Sequence, residues 1–187
     1  LFANKFASLD AQGVGVEMEA DKPSWLDALN GLPGLLGSSL PETFELKRLA
    51  VFLVQSLEAL GVALSQGVVL PAALARFIET LNARLDTHLR DKGPRRNFAF
   101  WDQASAAKEE FRAATRHGLS GNERKMPFGF IRSFLEHARE KIDIGIERVF
   151  DARRGIFPTY FENEVTRHRV SKGRVEPLEF RQKTLPL

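Results

Sequence analysis

The stretch KPSWLDALNGLPG, residues 22–34, places an aromatic ring and a carboxylate close together in a loop. Trp25 and Asp27 stand two positions apart, beside Asn-Gly and Pro-Gly pairs that interrupt helices and strands. A carboxylic acid can protonate a glycosidic oxygen as it leaves, and an aromatic face can cover the apolar face of a sugar ring. These residue types therefore indicate chemistry on a sugar. The alternative is that Asp27 caps a short helix and Trp25 belongs to the core.

Other polar residues could complete such a site. Glu17 and Glu19 alternate with apolar residues in GVGVEMEA, which predicts a strand near 13–20 with both carboxylates on one face, where they could equally face solvent. Glu42 follows Ser39 at the spacing of a capping box, which explains its position without catalysis. The candidate substrate contacts are Trp25, Asn30, Glu42 and Trp101.

Composition and spacing argue against several other kinds of site. The chain has no cysteine, which excludes disulfides, thiolate metal sites and a cysteine nucleophile. Its four histidines stand far apart, so no metal site is expected, and His88 fits the edge of the core. No phosphate-binding glycine loop and no G-x-S-x-G motif occurs. Short basic clusters at 95–96, 153–154 and 167–169 are typical of solvated faces, so nucleic acid is not an expected partner.

The overall composition is that of one globular domain. The chain has 187 residues, 43% of them hydrophobic and 27% charged, with a net charge of +3. No apolar run approaches the roughly 18–20 residues of a membrane span, so no membrane partner is expected. Because the chain begins with Leu1 and ends in KTLPL without a turn or cap, we expect an internal part of a longer protein. A processed or trimmed chain is the alternative.

Helical periodicity predicts four helices, over 42–60, 71–90, 101–116 and 127–150. Short connections predict that successive helices form antiparallel hairpins, pairing 42–60 with 71–90 and 101–116 with 127–150. An extended segment is predicted near 157–170. The chain then divides into a strand with the Trp25–Asp27 loop (1–41), helical hairpins (42–152) and an extended tail (153–187).

The run GVGVEMEADKPSWLDALNGLPGLLGSSLPETFELKRL resembles the cellobiose-phosphorylase-like group of the six-hairpin (α/α)-barrel glycosidases and phosphorylases. The corresponding stretch of that group reads K-P-G-W-N-D-A-L-N-G-L-P-G, and weaker similarity extends through FAFWDQASAAKEEFRAATRHGLSG to EPLEFRQKTLPL. In cellobiose-type phosphorylases a short W-N-D segment carries the general-acid Asp, so the resemblance implies that role for Asp27. This chain departs from the motif at Ser24, where the group has Gly, and at Leu26, where it has Asn.

The resemblance implies a mainly α-helical fold, with antiparallel hairpins forming part of an (α/α)6 toroid and short β segments near 13–20 and 157–170. Residues 1–187 would be a partial catalytic domain of a cytoplasmic enzyme that cleaves a glycosidic bond of an oligosaccharide or polysaccharide with inversion. Inorganic phosphate is a possible co-substrate, and no other cofactor is expected. The remainder of a larger chain would complete the enzyme, and we expect this chain alone to be inactive.

Phosphorolysis needs no protein base, because phosphate is itself the nucleophile. Hydrolysis needs a second carboxylate about 6.5–9.5 Å from the acid. The nearest candidates in sequence are Glu17, Glu19 and Glu42. The alternative function is a non-catalytic helical-hairpin domain that binds polysaccharide or scaffolds a larger protein.

Overall fold

The chain is seen in a computed structural model that describes residues 1–17, 37–171 and 173–185. Five helices lie within these ranges: α1 (Phe2–Phe6), α2 (Leu40–Ala59), α3 (Ala72–Arg90), α4 (Arg96–Thr115) and α5 (Phe128–Arg148). The strands in the same ranges are β1 (Val16–Glu17), β2 (Gly37–Ser39), β3 (Gly67–Pro71), β4 (Glu123–Pro127), β5 (Tyr160–Ser171) and β6 (Arg174–Thr184). An antiparallel four-stranded sheet has the order β1-β2-β5-β6, and β3 pairs with β4.

The fold is α+β, so the expected mainly α toroid is wrong: 52% of the structure is helix and 24% is strand. Strands lie in both segments predicted to be β, but the tail also forms β6, which pairs with β5 in a long hairpin turned at Gly173. A register shift between Val165 and Arg167, and Pro177 within β6, interrupt the alternation that identifies paired strands. Local sequence therefore indicated an extended tail without indicating its partner.

The helices lie close to their predicted positions, but they pair differently. α2 packs against α5, and α3 packs against both α4 and α5, so the two expected hairpins are not the main pairs. The cause is the ribbon of β3 and β4, whose paired residues immediately precede α3 and α5. The ribbon aligns the starts of two helices that are distant in sequence, and α5 consequently lies against both α2 and α3.

The short helix α1 completes the core. Phe6 is fully buried, and its ring lies edge-on to Phe100 and Phe134 at centroid distances of 5.6 and 6.0 Å. Phe2 stacks on Phe6 at 5.9 Å. Periodicity does not predict α1, because a helix of 5 residues spans little more than one turn. Residues assigned to a strand and a loop thus supply part of the aromatic core.

The start of α2 has the capping contact that its sequence predicts. Ser39 Oγ accepts a hydrogen bond from the Glu42 backbone N–H at 3.4 Å, and Pro41 lies in the first turn. We expect Ser39→Ala to lower the free energy of unfolding by about 1 kcal/mol, because a helix N–H loses its acceptor. Urea unfolding monitored by circular dichroism measures this change. The control is Ser56→Ala in the same helix, where an exposed hydroxyl donates to the Phe52 carbonyl and we expect a change under about 0.5 kcal/mol. Equal losses in the two variants would contradict the cap.

Candidate functional site

Two described strands flank the predicted catalytic loop. β1 ends at Glu17 and β2 begins at Gly37, and the strands pair antiparallel with Glu17 opposite Ser38. The two points at which the chain borders residues 18–36 are therefore neighbours. Residues 18–36 lie outside the described residues, and so do four of the candidates: Glu19, Trp25, Asp27 and Asn30.

The structure joins two of the sequence candidates, Glu17 and Trp101, in one contact. The Trp101 indole N–H donates a hydrogen bond of 2.7 Å to Glu17 Oε1 across 84 positions of sequence. The indole ring packs against Phe98 at 5.5 Å and against Phe180 at 5.4 Å, so α4 and β6 both position it. A half-buried carboxyl group and an aromatic ring therefore lie together where the chain borders the predicted loop.

The Glu17 carboxyl group has a raised pKa. Burial is the main cause, because desolvation disfavours the charged form. The hydrogen bond from Trp101 and the positive charge of Lys108 lower the pKa in part, and the negative charge of Asp10 raises it further. A raised pKa makes the neutral form of a carboxyl group more accessible, and acid and base catalysts make use of such shifts.

Asp10 is a buried carboxylate, 1% exposed, that organises the turn before β1. Its Oδ1 accepts hydrogen bonds from the backbone N–H groups of Gln12 and Val14, each at 3.0 Å, and its Oδ2 accepts one from Gly15 N–H at 3.1 Å. The Ser38 hydroxyl donates to Oδ2 at 2.6 Å, and so does the side-chain amide of Gln182 at 2.8 Å. Asp10 consequently ties β2 and β6 to the turn that leads to Glu17.

Sequence reasoning did not identify Asp10, although one local signal was present. An aspartate followed by glycines three and five positions later, Gly13 and Gly15, is typical of a turn in which the carboxylate accepts backbone N–H groups. Gly13 has a φ of 70°, which only glycine adopts readily. A Cβ on Gly15 would lie 2.4 Å from Ser38 Oγ, so the close approach of the turn to β2 also requires glycine.

Lys141 lies behind this turn in a second polar cluster. It is 2% exposed, and its Nζ lies 3.2 Å from Asn97 Oδ1, 3.3 Å from His88 Nε2 and 4.5 Å from the centroid of the Phe100 ring. His88 Nδ1 lies 3.1 Å from the Arg96 carbonyl oxygen, so the N–H is on Nδ1, and Nε2 accepts from the amine. Both side chains are buried, so the cluster joins α3, α4 and α5 from inside the core.

Both groups of this cluster have lowered pKa values. Burial, as the largest cause, lowers the pKa of Lys141 to about 7, while the charge of Asp10 acts in the opposite direction. Burial and then the charge of Lys141 lower the pKa of His88 to about 4. The position of His88 in the core agrees with its sequence interpretation. Lys108 is also buried, and its Nζ donates to Ser8 Oγ at 3.1 Å.

Glu42 lies apart from these groups at the first turn of α2. Its Oε2 forms an ion pair with Lys5 Nζ at 3.0 Å, which links α1 to α2. The pair borders a surface groove of about 660 Å³ that Leu49 and Phe52 also line. These contacts account for Glu42 structurally, and its role in substrate binding stays a prediction.

Among the described residues, no group of three His, Asp or Glu side chains is placed to hold a metal ion. Within the same ranges, no helix combines the length and apolarity needed to cross a membrane. Neither the protein-family models nor the curated proteins searched contain a match to this chain.

Proposed function

We propose that the intact protein is a carbohydrate-active enzyme that cleaves a glycosidic bond with inversion, by phosphorolysis or hydrolysis. Asp27 would be the general acid, and the substrate would be an oligosaccharide or a polysaccharide. The observation that carries this proposal is the hydrogen bond between Glu17 and Trp101 beside the strand ends that flank residues 18–36. It puts a carboxyl group and an aromatic ring at the point where the described chain borders residues 18–36, the range of sequence that contains Trp25 and Asp27.

The two residues fit complementary tasks. The ring of Trp101 would cover an apolar face of a sugar, and its N–H orients the Glu17 carboxyl group. A raised pKa brings Glu17 closer to the working pH, where a general base that takes a proton from water is most effective. Trp25, Asn30 and Glu42 are proposed as further substrate contacts. The proposed compartment is the cytoplasm, where a phosphorolytic reaction could draw on inorganic phosphate.

The test measures turnover of a panel of β-glucans and disaccharides by the full-length protein, with and without phosphate. Sugar 1-phosphate reports phosphorolysis, and new reducing ends without phosphate report hydrolysis. We expect Asp27→Asn to lower either activity by at least about 100-fold, since a general acid contributes 10²–10⁴-fold. The matched control is Glu45→Gln, which removes an exposed carboxylate of α2 and should leave the rate unchanged.

Glu17→Gln separates the two reactions. If water is the nucleophile, the variant should lose about 100-fold in rate, because the base that activates water is gone. If phosphate is the nucleophile, sugar 1-phosphate formation should persist within about tenfold, because no protein base is required. Absence of turnover throughout the panel would favour the alternative, a non-catalytic domain that binds polysaccharide or scaffolds a larger protein.

A further inference from the structure

Ser8 contacts both the main chain of Glu17 and the side chain of Lys108. Its carbonyl oxygen accepts the Glu17 backbone N–H at 2.7 Å, which fixes the main chain of the glutamate. Its hydroxyl accepts from Lys108 Nζ at 3.1 Å and donates to the Asn4 carbonyl oxygen at 3.0 Å. Ser8 is 6% exposed and Lys108 is 8% exposed, so this ammonium group is held away from bulk water. One residue therefore holds both the backbone of Glu17 and a buried positive charge.

Helix α4 brings Lys108 to this place together with Trp101. The two residues are seven positions apart, close to two helical turns, so they lie on one face, with the buried Ala104 between them. Trp101 contacts Glu17 directly, and Lys108 contacts Ser8 about two turns further along the same face. A single rigid helix thus supplies a hydrogen-bond donor and a cation to the surroundings of one carboxyl group.

We propose that Lys108 is a positioning residue that favours the ionised form of the Glu17 carboxyl group, with Ser8 holding the ammonium group in place. Among the described charged groups, Asp10 opposes this effect, because its negative charge disfavours a second carboxylate nearby. The catalytic consequence rests on the function proposed above: loss of Lys108 would leave Glu17 protonated at a higher pH and therefore unable to accept a proton from water. The control of ionisation itself does not depend on the identity of the substrate.

The indole of Trp101 reports the state of Glu17 without any substrate. The chain has two tryptophans, so Trp25→Phe leaves Trp101 as the only one. A protonated carboxyl group quenches indole fluorescence more strongly than a carboxylate, so a fluorescence titration in this background should show one transition that Glu17→Gln abolishes. We expect Lys108→Met to raise its midpoint by about 1 pH unit or more, as loss of a nearby opposite charge does.

Further variants distinguish charge from structure. Lys108→Arg keeps the positive charge and should leave the midpoint within about half a unit of the parent, whereas Ser8→Ala should raise it in the direction of Lys108→Met. Lys125→Met removes an exposed lysine of β4 and serves as the control. Circular dichroism of each variant establishes that it is folded. An unmoved midpoint in folded Lys108→Met, or in folded Ser8→Ala if the methionine variant does not fold, would overturn the proposal.

The activity assay separates this proposal from the proposed function. In a hydrolase, the acidic limb of the kcat/KM profile should move upward in Lys108→Met by the same amount as the fluorescence midpoint. A shifted midpoint in a protein that turns over no glycan supports the role of Lys108 and contradicts the proposed function. Turnover with an unshifted midpoint supports the proposed function and contradicts the role of Lys108.

Discussion

Asp10→Ala is expected to lower the free energy of unfolding by about 4 kcal/mol or more, a large part of the roughly 5–15 kcal/mol that stabilises a typical domain. The carboxylate is 1% exposed and accepts hydrogen bonds from three backbone N–H groups and two side chains. A hydrogen bond to a charged group contributes about 1.5–3 kcal/mol, and a buried donor without a partner costs about 1–3 kcal/mol. Val14 and Gly15 would lose buried acceptors, and the turn would lose its links to Ser38 and Gln182.

Urea unfolding at pH 7, monitored by circular dichroism, measures this loss of stability. Two further variants serve as comparisons. Asp10→Asn keeps the shape and one acceptor oxygen but turns an amide donor towards other donors, so we expect an intermediate loss of about 2 kcal/mol. Asp102→Ala removes an exposed aspartate of α4 and should change the free energy by less than about 0.5 kcal/mol. A loss below about 1 kcal/mol for Asp10→Ala would show that the turn does not depend on this carboxylate.

Lys141→Met is expected to remove a large pH dependence of stability. The pKa of Lys141 is about 7 in the folded chain and 10.5 in its ordinary state. Between these values the unfolded chain binds a proton that the folded chain does not, so the free energy of unfolding rises with pH. The penalty of burying the charge is complete below pH 7 and disappears above 10.5. The shift corresponds to about 3–4 kcal/mol gained between pH 7 and 10.

The measurement is the difference in unfolding free energy between wild type and variant, because other groups titrate in the same range. We expect the wild type to gain stability relative to Lys141→Met as the pH rises from 7 to 10. For the exposed Lys125→Met the difference should stay constant within about 0.5 kcal/mol. A pH-independent difference for Lys141→Met would mean that the amine does not titrate in the folded chain.

His88 adds a second pH window at lower values. Its pKa falls from 6.5 to about 4 in the folded chain, so the unfolded chain takes up the proton first as the pH decreases. The contribution of neutral His88 to stability is therefore present above pH 6.5 and lost as the pH falls towards 4. Because the charge of Lys141 is one cause of the lowered pKa of His88, Lys141→Met should raise that pKa in the folded chain and narrow this window from its acidic end.

Local interactions are what the sequence predicted well. Four long helices lie near their predicted ranges, because apolar residues at positions three and four apart mark the buried face of a helix wherever it packs. The contact between Ser39 and the Glu42 N–H follows from a spacing of three residues. The burial of His88 likewise follows from its place beside the apolar stripe of α3.

Partners that are distant in sequence were not predictable in the same way. The pairing of β3 with β4 and of β5 with β6 depends on backbone hydrogen bonds between segments whose local patterns are short or interrupted, and it changed both the fold class and the helix pairs. For the candidate site, the sequence alone selected Glu17 and Trp101 as separate residues. Only the tertiary structure joined them and surrounded Glu17 with Asp10, Ser8 and Lys108, because these contacts are set by the packing of α1, α4 and the sheet rather than by any spacing along the chain.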